Sequence, residues 1–516
     1  MRTKIALSLL VLLILGTLVA PASAKPAHTS EDATVTNPDD GTVIAITVFK
    51  PGMARAARQV PVILHSHGWG GSRETAIGGA VQAMLDAGFG VVSIDQRGHG
   101  ESGGEANVQD PTMETEDIKT VIDFVAKLPW VLHNTTRRGA PIANDPVLGA
   151  IGGSYGGGYQ TMTALDEIAD EGRTRFDALA PEITWYDLPQ SLAPNGVSRT
   201  AWTALLYAVG AANVPPYIHE AFAWGAATGQ WPDGTVLGTP APGVPNLDAE
   251  FHEHSPVAFV EKGIRINVPV LFRQGISDNL FVLNQGLQIF DKALTPQARK
   301  HSLFVGYNGG HALPNALPMG TAAGDDACSG GFTELTIKFF KKVFARQSPA
   351  NLLPAKYNLT TVAGDACVRG SGFTKGTVAP VEFPGTGDVF ATSGLGAPIH
   401  LPIATGPATV AGVPVLSGTR TALGVDARAF FGLSIGSDPV TATVIQNNLT
   451  PMRVALPVQG ERFTLDLAGV SVQVPEGQTL YLTISPLSDL SFGHGSKVPV
   501  GWMLSDLQVR LPALKK

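Results

Sequence analysis

Ser154 sits in Gly152-Gly153-Ser154-Tyr155-Gly156, with glycine two residues away on each side. The preceding residues, 147–151, are strand-like, and 157–168 have helical spacing. The serine is therefore expected on a tight strand-to-helix turn, beside a helix N-terminus that favours developing negative charge. A serine hydroxyl is a poor nucleophile until a base takes its proton. Two downstream segments offer the missing groups: Ser277-Asp278-Asn279 follows the apolar run 268–274, and Gly309-Gly310-His311 follows 302–305. In that order, His311 would accept the serine proton, and Asp278 would fix the imidazole tautomer and stabilise the imidazolium. His67-Gly68-Trp69-Gly70-Gly71, after the strand-like run 60–65, is expected to supply an oxyanion donor at the Trp69 N–H, with Tyr155 N–H as the second. The serine pattern alone is weak. Gly432-Leu433-Ser434-Ile435-Gly436 repeats it and Gly100-Glu101-Ser102-Gly103-Gly104 nearly does. Ser434 has no helix after it and Ser102 follows a loop, so Ser154 is the expected nucleophile.

These loops need a scaffold. Short apolar runs at 43–49, 60–65, 88–95, 147–152, 268–274 and 302–305 read as strands. Helical spacing at 74–87, 114–127, 155–168, 280–294 and 332–345 alternates with them. Alternation of this kind predicts an α/β unit, here residues 40–346, with a mostly parallel sheet buried on both faces. Residues 186–255 interrupt it with Trp, Tyr, Ala and Pro and are expected to form a helical cap over the site. From 375 to 516, short strands and turn residues without a helical pattern predict an antiparallel β-sandwich.

Composition narrows the class. Of 516 residues, 44% are hydrophobic and 15% charged, which supports a large core and excludes wholesale disorder. The net charge of −7 argues against a nucleic-acid partner. Two cysteines cannot build a disulfide scaffold or a four-cysteine zinc site. Residues 1–24 carry Arg2 and Lys4, an apolar stretch and Ala22-Ser23-Ala24, the pattern of a secretory signal peptide. A secreted or cell-envelope chain is expected, with no membrane association once that segment is removed. The oxidising compartment would then pair Cys328 with Cys367.

The nucleophile segment, Ser277-Asp278-Asn279-Leu280-Phe281, the cap between serine and acid, and a sandwich carrying Pro457-Val458-Gln459-Gly460 resemble the α/β-hydrolase superfamily. More narrowly they resemble its X-Pro dipeptidyl-peptidase / cocaine-esterase family. The resemblance implies an α/β-hydrolase domain with an inserted cap and a jelly-roll-like C-terminal sandwich. It also implies a serine hydrolase that forms an acyl-enzyme on a small-molecule or peptide substrate, releasing X-Pro dipeptides or, alternatively, hydrolysing carboxylic esters. A non-catalytic binding protein on the same fold is the third reading. No metal or organic cofactor is expected, and oligomeric state is left open. Dipeptide release needs an anion for the substrate amine, for which Glu182 and Asp187 are candidates. Trp185 and Tyr186 are candidates for an apolar pocket. The family often places a tyrosine hydroxyl in the oxyanion hole, at the loop where this chain has Trp69.

Overall fold

The computed structural model describes residues 26–312 apart from 236 and 241, then 326–383, the main chain of 389–392, and 396–516. The expected signal peptide lies outside the described residues. A ten-stranded sheet dominates the first part of the chain. Its strands are β1 (Thr29–Thr36), β2 (Val43–Lys50), β3 (Val62–Ser66), β4 (Gly90–Ile94), β5 (Leu148–Gly153), β6 (Ala178–Glu182), β7 (Leu271–Gly275), β8 (Leu303–Tyr307), β9 (Tyr357–Thr360) and β10 (Cys367–Gly370). They lie in the order β1-β2-β4-β3-β5-β6-β7-β8-β9-β10. From β4 to β9 neighbours run parallel; β1, β2 and β10 close the two edges antiparallel.

The strands are almost continuously apolar because both faces are covered. On β3, Val62 and Leu64 pack with helices α2 (Glu114–Ala126) and α3 (Tyr155–Glu171). Ile63 between them points to the opposite face, toward α1 (Gly79–Asp86). The cap contributes α4 (Thr200–Gly210) and α5 (Pro216–Thr228), and α6 (Phe332–Phe344) joins α1 beneath the sheet. The loops bearing Ser154, Asp278 and His311 leave the C-terminal ends of β5, β7 and β8, the edge at which open parallel sheets place their sites.

Two further antiparallel sheets close over one core containing Phe431, Leu482, Trp502 and Leu504. The long strand Val500–Leu511 shows why: its residues alternate between buried and exposed. This is the sandwich expected after residue 375.

Several elements differ from expectation. The polar run Thr29–Thr36 pairs in register with β2 as an edge strand. The large sheet continues past residue 346, because β9 and β10 add to β8. The helix expected from residue 74 begins at Gly79, since Glu74 N–H is held by Ser93 Oγ at 2.9 Å and Arg73 is tied to buried Asp95. The helix over 280–294 starts at Leu283 and widens into a π-turn at Ile289–Ala293. As expected, however, Cys328 and Cys367 form a disulfide, joining the approach to α6 to β10. No helix among the described residues is long and apolar enough to cross a membrane.

Candidate active site

Ser154 has φ 58° and ψ −120°, a conformation that costs a non-glycine residue about 1–3 kcal/mol. The surrounding turn enforces it. Ser154 N–H donates to Glu182 O at 2.9 Å, and Gly157 and Gly158 N–H both return to Ser154 O. A Cβ at Gly152 would strike the carbonyls of Gly156 and Ser66; one at Gly156 would strike those of Ser66 and His67. Both glycines therefore let the end of β3 lie against the serine turn.

His311 Nε2 lies 2.9 Å from Ser154 Oγ, and His311 Nδ1 lies 2.8 Å from Asp278 Oδ2. Asp278 is fully buried. Its Oδ2 also accepts His311 N–H at 3.0 Å, and its Oδ1 accepts the N–H groups of Leu280 (2.9 Å) and Phe281 (2.7 Å). Four donors saturate the carboxylate and fix its orientation. With Nδ1–H committed to Asp278, Nε2 is left to accept from the serine hydroxyl. The rings of Phe281 (5.1 Å) and Trp202 (5.8 Å) meet His311 edge-on and confine it. Such a chain can take the proton from a hydroxyl as it attacks a carbonyl.

The neighbouring residue, Asn279, braces both loops. Its N–H donates to His311 O (2.9 Å), its carbonyl accepts from Arg199 Nη1 (2.7 Å), and its Oδ1 accepts from Trp202 Nε1 (2.8 Å). From the sandwich, Asn448 Nδ2 donates to Asp278 O at 3.1 Å. Arg199 and Asn448 had no place in the sequence reading, and Trp202 was expected only as a pocket aromatic, because each acts through contacts across 77 residues or more.

The rival serines serve the scaffold. Ser102 Oγ donates to Asp95 O (2.7 Å) and accepts Ala45 N–H (2.8 Å). Ser434 is buried in the sandwich against Thr483.

The His67 loop runs beside the serine: a Cβ on Gly68 would stand 3.7 Å from both Gly153 O and Ser154 Cβ. Tyr155 opens α3, so its N–H belongs to the first turn, where helices lack internal acceptors. Trp69 directs its side chain into the cap, with Nε1 donating to Leu206 O at 2.9 Å and its ring edge-on to Tyr155. His67 shapes this loop. Its Nδ1 donates to Gly68 O at 2.8 Å, its Nε2 accepts Gln96 N–H at 3.2 Å, and burial holds its pKa below the usual imidazole value.

A cavity of about 210 Å³ opens from Ser154 into the cap. Its walls include Trp69, Trp185, Leu206 and Tyr207, Phe222 of α5, and Phe281 beside Asp278. No Asp, Glu, Lys or Arg among the described residues lines it. Of the four expected substrate contacts, Trp185 reaches this cavity. Tyr186 is buried in the main core with Lys292 over its ring at 5.5 Å. Glu182 pairs with Arg273 at 2.9 Å, and Asp187 caps a short helix by accepting Gln190 N–H at 3.1 Å. Among the described residues, one group of three carboxylates, Glu116, Asp166 and Asp170, is close enough to share an ion. Lys119 Nζ fills it at 2.7–2.8 Å from each.

The sequence profile of the X-Pro dipeptidyl-peptidase (S15) family matches residues 40–312, more than half of the chain. The chain belongs to the X-Pro dipeptidyl-peptidase (S15) family. Among curated relatives, protein YcjY of Escherichia coli K12 is 31% identical over 134 residues, 26% of this chain and 40% of that protein. Protein PA2218 of Pseudomonas aeruginosa is 33% identical over 112 residues, 22% of this chain and 29% of that protein. The matches thus span less than half the length of these relatives.

Solved structures share the whole architecture. An aminopeptidase of a Thaumarchaeota archaeon aligns with TM-score 0.64 and 14% identity, covering 98% of this chain and 99% of that one. A CocE/NonD family hydrolase of Staphylococcus aureus aligns with TM-score 0.62 and 14% identity over 94% of both chains. An α-amino acid ester hydrolase aligns with TM-score 0.61 and 13% identity, covering 97% and 99%. At these identities the likeness establishes the S15-type fold, an α/β-hydrolase sheet with a sandwich behind it, and nothing narrower.

Proposed function

We propose that this S15-family chain is an exported serine hydrolase that cleaves carboxylic esters with an uncharged, apolar acyl group. The uncharged apolar cavity opening on Ser154 carries this reading. Ser154 Oγ attacks the ester carbonyl while His311 Nε2 takes its proton. The tetrahedral oxyanion is held by the N–H groups of Tyr155 and Trp69. Collapse passes the proton to the departing alcohol and leaves an acyl-enzyme. His311 then activates water, and the acid is released with Ser154 regenerated. Export is supported by the apolar N-terminal segment and by the Cys328–Cys367 disulfide.

X-Pro dipeptide release remains the second reading, favoured by the family match. A proline ring suits the same cavity, but the substrate amine needs an anion, and Glu182 and Asp187 are engaged elsewhere. The deciding measurement is kcat/KM on p-nitrophenyl esters of increasing acyl length and on an X-Pro p-nitroanilide, with Ser154→Ala as control. Ester turnover lost in the variant, with negligible anilide turnover, is expected. Anilide preference would overturn the ester reading in favour of the peptidase.

A further inference from the structure

Arg199 stands at the foot of the cap, just before α4, and is buried to 4% exposure. Burying a guanidinium without a carboxylate partner is costly, and such groups are rare unless paired. Arg199 takes part in no ion pair among the described residues. Its Nη1 donates to the main-chain carbonyl of Asn279, and its Nε finds no acceptor. The residue before Asn279 is Asp278, whose carboxylate is the negative charge acting on the guanidinium. The chain keeps an expensive buried cation where an apolar side chain would pack, beside the acid that holds His311.

We propose that Arg199 is a positioning residue of the cap whose fixed charge stabilises the Asp278 carboxylate and opposes protonation of His311. The inference rests on the Ser154–His311–Asp278 reading above. Two effects follow from the one contact. The hydrogen bond to Asn279 O braces the residue whose N–H holds His311 O. The positive charge, buried in the protein interior, favours the neutral imidazole that can accept the serine proton. The other charged or titratable groups facing this cluster do not supply that field. Arg273 on β7 is neutralised by Glu182 on β6. Tyr307 at the end of β8 is kept protonated by burial, and His494 of the sandwich has its pKa pushed down to about 4. Asn448, also from the sandwich, is uncharged.

The test is the pH dependence of kcat/KM for the wild type, Arg199→Gln and Arg199→Lys. Glutamine can still donate to Asn279 O but carries no charge; lysine keeps the charge. The acidic limb is expected to move up by about half to one pH unit in Arg199→Gln and to stay near the wild-type position in Arg199→Lys. A limb that does not move in Arg199→Gln would overturn the proposal, whatever the change in kcat or Tm, since a purely structural residue affects all pH values alike. If Arg199→Gln does not fold, Arg199→Met is read in the same way. Ser154→Ala separates the two layers. Activity surviving in Ser154→Ala sinks the triad reading itself, whereas an inactive Ser154→Ala with an unmoved limb removes only the role of Arg199.

Discussion

Asn448, on a loop of the C-terminal sandwich, donates through Nδ2 to the main-chain carbonyl of Asp278, 170 residues earlier, at 3.1 Å. The two residues before it, Gln446 (φ 52°) and Asn447 (φ 51°), are buried and held in the left-handed region. Strain of that kind persists only where the surroundings over-determine it. Two more bonds join the same units. Asn284 Nδ2 donates to Leu467 O (3.0 Å), and Asn284 Oδ1 accepts Gly469 N–H (2.7 Å). The sandwich thus grips the loop carrying the acid at both ends.

Asn448→Ala is therefore expected to lower kcat/KM on the best ester about ten-fold, mainly through kcat, because a slightly displaced acid misplaces the base. Steady-state kinetics beside circular dichroism tests this. An unchanged kcat in a folded variant would show that the grip does not reach the chemistry.

Ser154→Ala and His311→Ala are expected to abolish labelling by a fluorophosphonate probe and to lower kcat by about four orders of magnitude or more. Ser154→Gly should be equally inactive yet more stable than Ser154→Ala by about 1 kcal/mol, because glycine tolerates φ 58° without strain. Thermal denaturation of the two variants provides the comparison.

Acyl length should respond to the cavity. Ala204 of α4 lines it, so Ala204→Phe is expected to cut kcat/KM for an octanoyl ester at least about ten-fold while sparing the acetyl ester, the scale on which pocket contacts discriminate methylenes. Equal loss on both esters would place the acyl chain elsewhere.

Glu114 is fully buried behind Tyr155, and desolvation raises its pKa from 4.5 to about 8. Between those values the folded state holds a proton that the unfolded state has released. Its contribution to stability is therefore full below about pH 4.5 and is lost as pH rises toward 8. Glu114→Gln, which cannot ionise, should gain Tm over the wild type progressively from pH 5 to 8 and show little difference at pH 4. Parallel Tm curves for the two proteins would contradict this.

Cys328 and Cys367 close a loop of 39 residues that contains α6 and β9. Replacing both with serine is expected to cost about 2–4 kcal/mol of stability. The same fall in Tm should appear when the wild type is reduced, and reduction should leave the double variant unaffected.

The arrangement of Ser154, Asp278 and His311 was legible in the sequence because its signals are local. Each of Ser154, Asp278 and His311 follows an apolar run that ends in glycine or a polar turn, and all three arrive at one edge of the sheet. The central strands were legible for the same reason: residues such as Val62, Ile63 and Leu64 are apolar on both faces. Thr29–Thr36 was not, because an edge strand exposed over most of its length carries no apolar periodicity and is recruited by the free edge of β2. The ends of the sheet at β9 and β10 were hidden in what reads as a linker between two regimes. The braces on the site, Arg199, Trp202 and Asn448, have no local signature, since their roles exist only once the cap and sandwich have docked. Glu182 and Asp187 could be read in sequence as amine anchors or as cap and surface residues, and three-dimensional packing gives Glu182 to Arg273 and Asp187 to a helix end.

The chain order of these parts sets a clock on the molecule. A polypeptide is made from its N-terminus at about 5–20 residues per second, so roughly 300 residues, or about 15–60 seconds, separate the nucleophile from the asparagine that grips its acid loop. The strand that seals the tail, Leu514–Lys515 on Gly372–Phe373, comes later still. On the proposed reading, a chain stopped before Asn448 carries serine, acid and base but lacks the bond that steadies the acid loop.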